Sequence, residues 1–258
     1  MPRVAARPRA FVRVAGPEAE AFLQRMVSND VELAPGESCD ALLLTAKARV
    51  IAPLRVWRRG EEDFLLLTEP ELGERVRREL LRFRFASKVE VEPEEHRSAV
   101  VFGSALEGIP NPDYGESAVE VLDRNVDGEP VPEAELELLR ITAMTPRYGR
   151  EIDDRVLPAE AGLVERAVSF TKGCYPGQEP VARLHHRGHA NRGLRVLALE
   201  GDELPEYDAE IRLGGRAVGR VTSAVRAPEG VLALGYVRAE VAPDAELEVG
   251  RARARSLH

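Results

Sequence analysis

The sequence predicts an α+β protein of three subdomains, which we place at residues 1–95, 96–193 and 194–258. Strand and helix patterns alternate in the first of these regions, and strands, a helix and long loops share the second. After Leu194 the pattern changes to short strands separated by glycine-containing turns, which is typical of a small β-barrel. A chain of 258 residues with 44% apolar content can also bury a substantial core, so a globular protein is expected.

The first subdomain is predicted from its order of strands and helices. Residues 9–14 alternate weakly and end at Gly16-Pro17, after which apolar residues recur at helical spacing. A second, charged helix opens at Pro70. The further strands are predicted at residues 39–44, 50–57, 64–68 and 89–91. This β-α-β-β-α-β order, with one extra hairpin strand, predicts a ferredoxin-like α+β unit.

The second and third subdomains are predicted from shorter elements. Strands are expected at residues 98–102 and 117–122, and a packed helix near Pro132 ends before Pro146. The charged stretch from Arg147 to Leu163 is expected to be a loop that builds a site. The Gly214-Gly215 pair predicts a hairpin turn in the barrel. The predicted barrel strands are residues 194–199, 210–213, 217–225, 231–238 and 247–249.

Composition excludes several classes of protein. No apolar run approaches the roughly 20 residues that cross a bilayer, and the N-terminus lacks an apolar secretory signal. We therefore expect a cytoplasmic protein with no membrane partner. The net charge of −8 argues against a surface that coats nucleic acid, so any anion site must be local. Two distant cysteines, Cys39 and Cys174, assemble neither a disulfide framework nor a four-thiolate metal site.

The segment from Lys172 to Glu179, Lys-Gly-Cys-Tyr-Pro-Gly-Gln-Glu, carries the strongest chemical signal. Thiolates are favoured by nearby cations and by helix N-termini, and Lys172 lies two residues before Cys174, ahead of a helix predicted at residues 178–186. The alternative is that Cys174 is a small apolar side chain in a core. The flanking Gly173, Pro176 and Gly177 favour an exposed turn instead. Cys39, beside an apolar run, fits the core interpretation better.

A basic segment follows at residues 182–195, with four arginines, three histidines and no carboxylate. Guanidinium groups pair with carboxylates or phosphates, so a polyanionic ligand tail or an RNA backbone would suit it. The alternative is a solvated basic face that balances the acidic remainder. His185, His189 and Cys174 could meet at a metal, but Gly188 is expected to end the helix between the two histidines, and a permanent metal site is not favoured.

These motifs resemble the YgfZ family, the folate-binding relatives of the glycine-cleavage T-protein. The resemblance covers nearly the whole chain and is densest at residues 146–195. It implies three subdomains in a ring around a folate channel, with tetrahydrofolate or a derivative as cofactor. It also implies a role in assembling or repairing iron-sulfur clusters, including those of enzymes that modify tRNA. The matching segments are residues 22–24, 28–30, 35–36, 47–49, 147–152, 157–163, 172–179, 181–183 and 218–223.

The resemblance also implies the residues of the site. Cys174 would be the functional thiol and Lys172 its electrostatic activator. Ligand or scaffold contacts would come from Gln178, Glu179 and Arg183. The residues expected to line the channel are Asn29, Asp30, Lys47, Arg49 and Glu160.

Two departures from the family pattern change no functional group, namely Pro176 in place of Ile or Thr and Ala48 in place of a glycine. A third is chemical. Aminomethyl transfer by the T-protein depends on an Asp pair in the strand that matches residues 50–54, and this chain has Ala52 and Pro53 there. Without those carboxylates the folate nitrogen lacks its usual proton-handling group, so a standard aminomethyltransferase is not expected.

The leading hypothesis is therefore a tetrahydrofolate-binding protein that assists the assembly or repair of iron-sulfur clusters, with iron-sulfur assembly or client proteins as its partners. Two alternatives stay open, a folate-dependent aminomethyl or methyl transferase and a non-catalytic module that binds RNA or protein through the basic segment. RNA contact is the less favoured, and a monomer is expected although the sequence does not fix the oligomeric state.

Overall fold

The structure is a computed structural model that describes residues 1–103, 107–115 and 117–257. Its first part confirms the predicted order of strands and helices and adds one short strand at the N-terminus. The elements are β1 (Arg3–Ala6), β2 (Ala10–Ala15), α1 (Ala19–Met26), β3 (Ser38–Leu44), β4 (Val50–Gly60), β5 (Asp63–Thr68), a 3-10 turn (Pro70–Leu72), α2 (Gly73–Arg82) and β6 (Glu90–Glu94).

The first sheet has the strand order β3-β4-β5-β2-β6, and all its pairs are antiparallel. Helices α1 and α2 cover one face, where Phe22 and Leu80 pack with Phe64 and Leu66 of β5. The opposite face of β5, with Leu65, packs against Ile109 of the following subdomain. Because both faces are buried, β5 reads as an unbroken apolar run rather than as an alternating strand.

The second part of the chain forms a smaller sheet and three helices. Its elements are β7 (Ser98–Phe102), β8 (Ile109–Pro110), β9 (Ala118–Leu122), β10 (Glu129–Pro130), α3 (Glu133–Thr142), α4 (Val164–Ala167) and α5 (Gln178–Arg187). The sheet order is β10-β1-β7-β9-β8, so the N-terminal strand β1 pairs with β7 and β10 instead of joining the first sheet. The first two subdomains are thus connected by sheet hydrogen bonds as well as by the chain.

The third part closes into a barrel with the order β11-β14-β13-β12-β15-β16, which confirms the predicted barrel. Gly214 and Gly215 both have positive φ, 55° and 80°, as a two-residue hairpin turn of this hand requires. The strands are β11 (Arg192–Leu199), β12 (Glu210–Leu213), β13 (Arg216–Ala227), β14 (Gly230–Arg238), β15 (Leu247–Val249) and β16 (Ala252–Ser256).

One apolar core joins all three subdomains. Leu42 and Val50 of the first sheet pack in the same cluster as Ile141 and Val181 of the second part and Tyr236 of the barrel. Burying such side chains contributes about 1.5–3 kcal/mol each, so this shared core stabilises the packing of the three subdomains against one another. Among the described residues, no helix is both long and apolar enough to span a bilayer.

Candidate functional site

The segment Lys172–Glu179, called the motif loop below, connects α4 to α5 and has a buried root. Gly177 precedes α5 with φ 84°, and a Cβ placed there would lie 2.6 Å from the Thr45 carbonyl oxygen and 3.0 Å from the Ala48 Cα. Only glycine fits so close an approach at positive φ. The sequence motif therefore needs this glycine to dock on the loop that connects β3 to β4.

The tip of the motif loop is open to solvent. Gly173 and Cys174 are exposed, and Cys174 is a free thiol. Tyr175, the next residue, turns inward and is buried in the shared core. The predicted exposed turn is thus observed, and the sulfur atom is accessible to a partner molecule while its neighbour anchors the chain.

Lys172 lies at the root of the motif loop rather than at its tip. Its amino group donates hydrogen bonds to the carbonyl oxygens of Val27 at 2.8 Å and Asn29 at 2.6 Å. Burial lowers the pKa of this amino group to about 8, opposed by the nearby Asp30 and Cys39. These contacts place the cation beside Cys39 instead of against Cys174, so its predicted assistance to the Cys174 thiolate stays a prediction.

Cys39 is the less available of the two thiols. It is partly buried against the first core, and its Sγ donates to the Asp30 carbonyl oxygen at 3.3 Å. Burial raises the pKa of the Cys39 thiol to about 12. The structure thereby supports the core interpretation for Cys39.

Asn29 and Asp30 form a polar turn beneath the motif loop. The Asn29 side-chain amide donates to the Asp40 carbonyl oxygen at 2.7 Å. Hydrogen bonds from the Glu32 amide and the Gln24 side chain hold the pKa of the Asp30 carboxyl below its usual value. Both predicted channel residues are therefore engaged within the protein, next to the root of the motif loop.

Lys47 and Arg49 flank the docking point of Gly177. Lys47 is exposed, and the Arg49 guanidinium donates to the Arg155 carbonyl oxygen. Ala48 between them has φ 59°, a left-handed conformation that favours glycine. This explains why the family pattern has a glycine at the position, and the alanine here carries the conformational cost.

Of the four remaining predicted site residues, Glu160 is engaged in contacts within the protein, and the other three lie on α5. Glu160 accepts hydrogen bonds from Arg192 of the barrel at 3.1 Å and from the Leu157 amide at 3.0 Å. Gln178 is the first residue of α5, while Glu179 and Arg183 are exposed on that helix. Glu160 thus ties its turn to the barrel, and α5 presents the other side chains beside the motif loop.

The structure also contains an open cavity of about 480 Å³ between the first two subdomains. Its described lining includes none of the ten predicted site residues, although Asn29 bonds to the backbone of the wall residues Asp40 and Arg166. Apolar wall residues come from β3, β4, β5 and α3. The volume lies within the range of small-molecule sites. The cavity therefore offers a ligand site that motif analysis did not reach.

Charged side chains in and behind one wall form what we call the buried ion cluster. Its members are Arg9, Asp40, Arg55, Asp113, Glu120 and Arg166. Asp113 is the hub, since it accepts from Arg55 at 3.0 Å, Arg166 at 2.8 Å and Arg9 at 3.3 Å. Burial disfavours its charge, but the three guanidinium groups outweigh burial and hold the pKa of Asp113 well below its usual range.

The buried ion cluster was missed because its members are far apart in sequence. Arg9 and Arg55 come from the first subdomain, and Asp113, Glu120 and Arg166 come from the second. A signal was present in the charged residues Asp40 and Arg55, which interrupt the apolar stretches at residues 39–44 of β3 and 50–57 of β4. A charge in a buried strand requires a partner, but the pattern does not name it.

Ala52 and Pro53 lie where the resemblance implies aminomethyl-transfer carboxylates. Ala52 is fully buried in the first core, while Pro53 lines the cavity and accepts a hydrogen bond from the Thr68 hydroxyl at 2.8 Å. At this position β4 thus presents the apolar pyrrolidine ring of Pro53 to the cavity. Asp113 does not replace the missing proton donor, because its low pKa keeps it ionised at neutral pH.

Two of the four arginines in the basic segment at residues 182–195 are engaged in contacts within the protein. Arg192 pairs with Glu160, and Arg195 donates to the Val241 carbonyl oxygen at 2.6 Å. Arg183 and Arg187 stay exposed on α5. Two available arginines make a weaker anion surface than the four that the sequence suggested.

The histidines of α5 pack on an aromatic ring instead of assembling a metal site. His185 stacks on Phe170 with ring centroids 4.3 Å apart, and His186 lies 5.6 Å from the same ring. Helix α5 ends before Gly188, so His189 is outside it. Within residues 1–103, 107–115 and 117–257, no group of three or more His, Cys, Asp or Glu side chains could hold a metal ion.

Comparison with known proteins identifies relatives of similar length. No protein-family model matches the chain. An uncharacterized protein of Haemophilus influenzae is 28% identical over 243 residues, which cover 88% of this chain and 85% of the relative. The tRNA-modifying protein YgfZ of Shigella dysenteriae is 26% identical over 295 residues, covering 96% and 89%. The protein of that name from Serratia proteamaculans is 27% identical over 271 residues, covering 86% and 80%.

A solved structure extends the comparison to the fold. The glycine cleavage system aminomethyltransferase T of Bartonella henselae superposes with a TM-score of 0.85 and 22% sequence identity, covering 100% of this chain and 85% of the other. The resemblance found in the motifs is therefore confirmed along the chain. The protein is a homologue of proteins named tRNA-modifying protein YgfZ, built on the fold of a glycine-cleavage aminomethyltransferase.

Proposed function

We propose that this protein binds tetrahydrofolate or a derivative in its central cavity and assists the assembly or repair of iron-sulfur clusters in the cytoplasm. The clients would include enzymes that modify tRNA. The observation that carries the proposal is the pairing of a cavity of about 480 Å³, partly open to solvent, with an exposed thiol on a separate loop whose root is buried. Relatives named tRNA-modifying protein YgfZ support the link to tRNA modification, and the shared aminomethyltransferase fold supports a folate ligand.

The chemistry of the cavity wall suits a folate. A folate has a flat heteroaromatic ring at one end and glutamate carboxylates at the other. Apolar wall residues such as Leu54, Leu67 and Leu136 fit the ring, and guanidinium groups fit carboxylates in bidentate fashion. Arg147 is the most suitable contact for the glutamate tail. Its side chain is partly exposed at the wall, and its ion pair with Glu137 is long, at 3.7 Å between Nη1 and the carboxylate oxygen.

Binding without transfer is the better-supported form of this function. Pro53 occupies the wall where a transferase would need a carboxylate. The hydrogen bonds and charge of Arg140 overcome burial and hold the pKa of Glu137 below its usual value, so Glu137 joins Asp113 as an ionised wall residue. Neither carboxylate can donate a proton at neutral pH, and a one-carbon transferase is the weaker alternative.

We propose that Cys174 supplies the reactive group toward iron, sulfur or a partner thiol. Its exposure lets a client protein approach, whereas the thiol of Cys39 is partly buried. In the motif, α5 would position Gln178, Glu179 and Arg183 as contacts beside that thiol. The residues Asn29, Asp30, Lys47, Arg49 and Glu160 would support the loop and the approach to the cavity, while Lys172 would hold its root and supply the nearby positive charge.

A tetrahydrofolate titration of the purified chain tests the binding step. We expect saturable binding by the wild type and about tenfold or greater weakening in Arg147→Ala, the usual loss for one charge-assisted hydrogen bond. Arg187→Ala is the matched control, because that arginine is exposed on α5, outside the cavity wall and outside the predicted site, and Arg183→Ala tests the predicted contact on the same helix. Absence of binding by the wild type would overturn the proposal, and a loss confined to Arg183→Ala would move the site to α5.

Complementation in cells tests the second step. In a strain that lacks the protein, Cys174→Ala should fail to restore the activity of an iron-sulfur enzyme, whereas Cys39→Ala should restore it. Both variants should bind tetrahydrofolate like the wild type. Full complementation by Cys174→Ala would remove the thiol from the function.

A further inference from the structure

A short loop between α2 and β6 exposes two aromatic rings. Residues 82–88 read Arg-Phe-Arg-Phe-Ala-Ser-Lys, and the exposed fractions of Phe83 and Phe85 are 42% and 84%. Single exposed apolar residues are ordinary, but here two rings alternate with cations in one turn. None of these residues lines the central cavity, so the loop is separate from the proposed folate site.

The backbone holds the second ring outward. Phe85 has φ 41°, which is uncommon for a bulky residue and costs about 1–2 kcal/mol. Backbone hydrogen bonds fix the turn on both sides, from the Phe83 amide to Leu80 at 3.1 Å and from the Ser87 amide to Arg84 at 2.8 Å. An outlier that neighbouring structure maintains is found most often at functional positions.

The loop forms a local basic patch on an acidic protein. Residues 82–88 contain three cations and no carboxylate, whereas the whole chain has a net charge of −8. Arg25 adds a fourth cation through its hydrogen bond to the Ser87 hydroxyl at 3.2 Å. Two carboxylates contact this set, Glu79 at the Arg82 guanidinium and Glu18 at the Lys88 amide. The excess of positive charge favours an anionic partner.

We propose that this loop binds single-stranded nucleic acid. The bases would stack on Phe83 and Phe85, and the phosphates would pair with Arg84, Lys88 and Arg25. The alternation of aromatic rings and cations matches a single nucleic-acid strand, in which every nucleotide offers one base and one phosphate. An acidic protein segment would use the cations and leave both rings in water, and a duplex would keep its bases stacked away from them.

Fluorescence anisotropy with a labelled 12-nucleotide oligouridylate at about 50 mM salt tests the proposal. Stacking on one aromatic ring is worth about five- to a hundredfold in affinity, so Phe83→Ala and Phe85→Ala should each weaken binding by at least about fivefold. Replacing Arg84 or Lys88 by alanine should lower the slope of log affinity against log salt by about 0.7. Tyr207→Ala is the matched control, an exposed ring at 51% outside the loop, and should bind like the wild type.

Three further probes identify the class of ligand. Binding of an oligodeoxythymidylate of the same length supports the proposal: an affinity equal to that for oligouridylate shows a site without sugar preference, and a lower affinity shows a preference for RNA. A duplex or a polyglutamate peptide of equal charge that binds as tightly as oligouridylate would overturn it, and so would unchanged affinity in both phenylalanine variants or no binding by the wild type. Thermal unfolding and tetrahydrofolate titration of the variants show that fold and cavity are intact.

Discussion

The buried ion cluster and the motif loop both carry reactive or charged side chains, yet they use them in opposite ways. In the cluster, Asp113 receives three guanidinium groups within 3.3 Å and is almost shut off from water. In the motif loop, the Cys174 thiol is exposed at the tip while Gly177 and Tyr175 are buried at the root. The charges of the cluster form ion pairs that hold the first two subdomains together, whereas the Cys174 sulfur of the loop stays accessible to solvent.

The comparison shows that a group with a displaced pKa need not be a group that a partner molecule can reach. Asp113 has a strongly displaced pKa, which often marks a catalytic group, but here it results from ion pairs that leave the carboxylate fully occupied. In this protein the displaced pKa of Asp113 results from ion pairing, whereas the proposed role of Cys174 rests on the exposure of its thiol. Four measurements test this difference between the buried ion cluster and the motif loop.

Asp113→Ala should have the largest effect on stability. It leaves the buried Arg9 and Arg55 and the half-buried Arg166 with fewer acceptors, and breaking a buried pair costs about 3–5 kcal/mol in the free energy of unfolding. Urea denaturation measures the loss. Glu210→Ala, which removes an exposed partner of Arg212, is the control and should cost less than about 1 kcal/mol. Equal costs for the two variants would contradict the structural role of the cluster.

Gly177→Ala should destabilise the root of the motif loop by about 2–4 kcal/mol, from positive φ together with overpacking. The matched variant is Gly173→Ala at the tip, where nothing lies within 4 Å of the added Cβ. That variant should change the free energy of unfolding by less than about 0.5 kcal/mol. A similar result at both positions would show that root and tip do not differ.

Lys172 makes the stability of the root depend on pH. Burial lowers its pKa in the folded state to about 8 from the ordinary 10.5, so between these values the unfolded chain binds more protons than the folded one. The free energy of unfolding, relative to that of Lys172→Met, should therefore rise from pH 8 to pH 10.5 and stay level below pH 8. Denaturation of both proteins at several pH values measures the difference, and a constant difference would contradict the burial of a charged amine.

Thiol reactivity should distinguish the two cysteines with little effect on stability. With a disulfide reagent at pH 8, the exposed Cys174 should react rapidly, and Cys39, whose pKa burial raises to about 12, should react slowly. Cys174→Ser should abolish the rapid phase and change the free energy of unfolding by less than about 0.5 kcal/mol. A rapid phase that survives in Cys174→Ser and disappears in Cys39→Ser would reverse the assignment.

Local patterns predicted most of the fold. Strand β5, helix α2 and the Gly214-Gly215 hairpin follow from residues that are neighbours in sequence, and all three are observed near the predicted bounds. Strand β1 was missed because its four residues have no clear alternation and are stabilised by pairing with the distant β7 and β10. A strand whose partners lie about a hundred residues away leaves little local signal.

For the candidate site, the sequence alone determined the motif loop, its exposed thiol and the apolar Ala52-Pro53 step, because glycine, proline and cysteine have conformational and chemical properties of their own. The tertiary structure alone decided that Lys172 lies beside Cys39, that Arg192 and Arg195 are engaged internally, and that distant charges meet at Asp113. Those outcomes depend on which surfaces pack together. Burial and pairing are properties of the folded neighbourhood, which one-dimensional spacing does not contain.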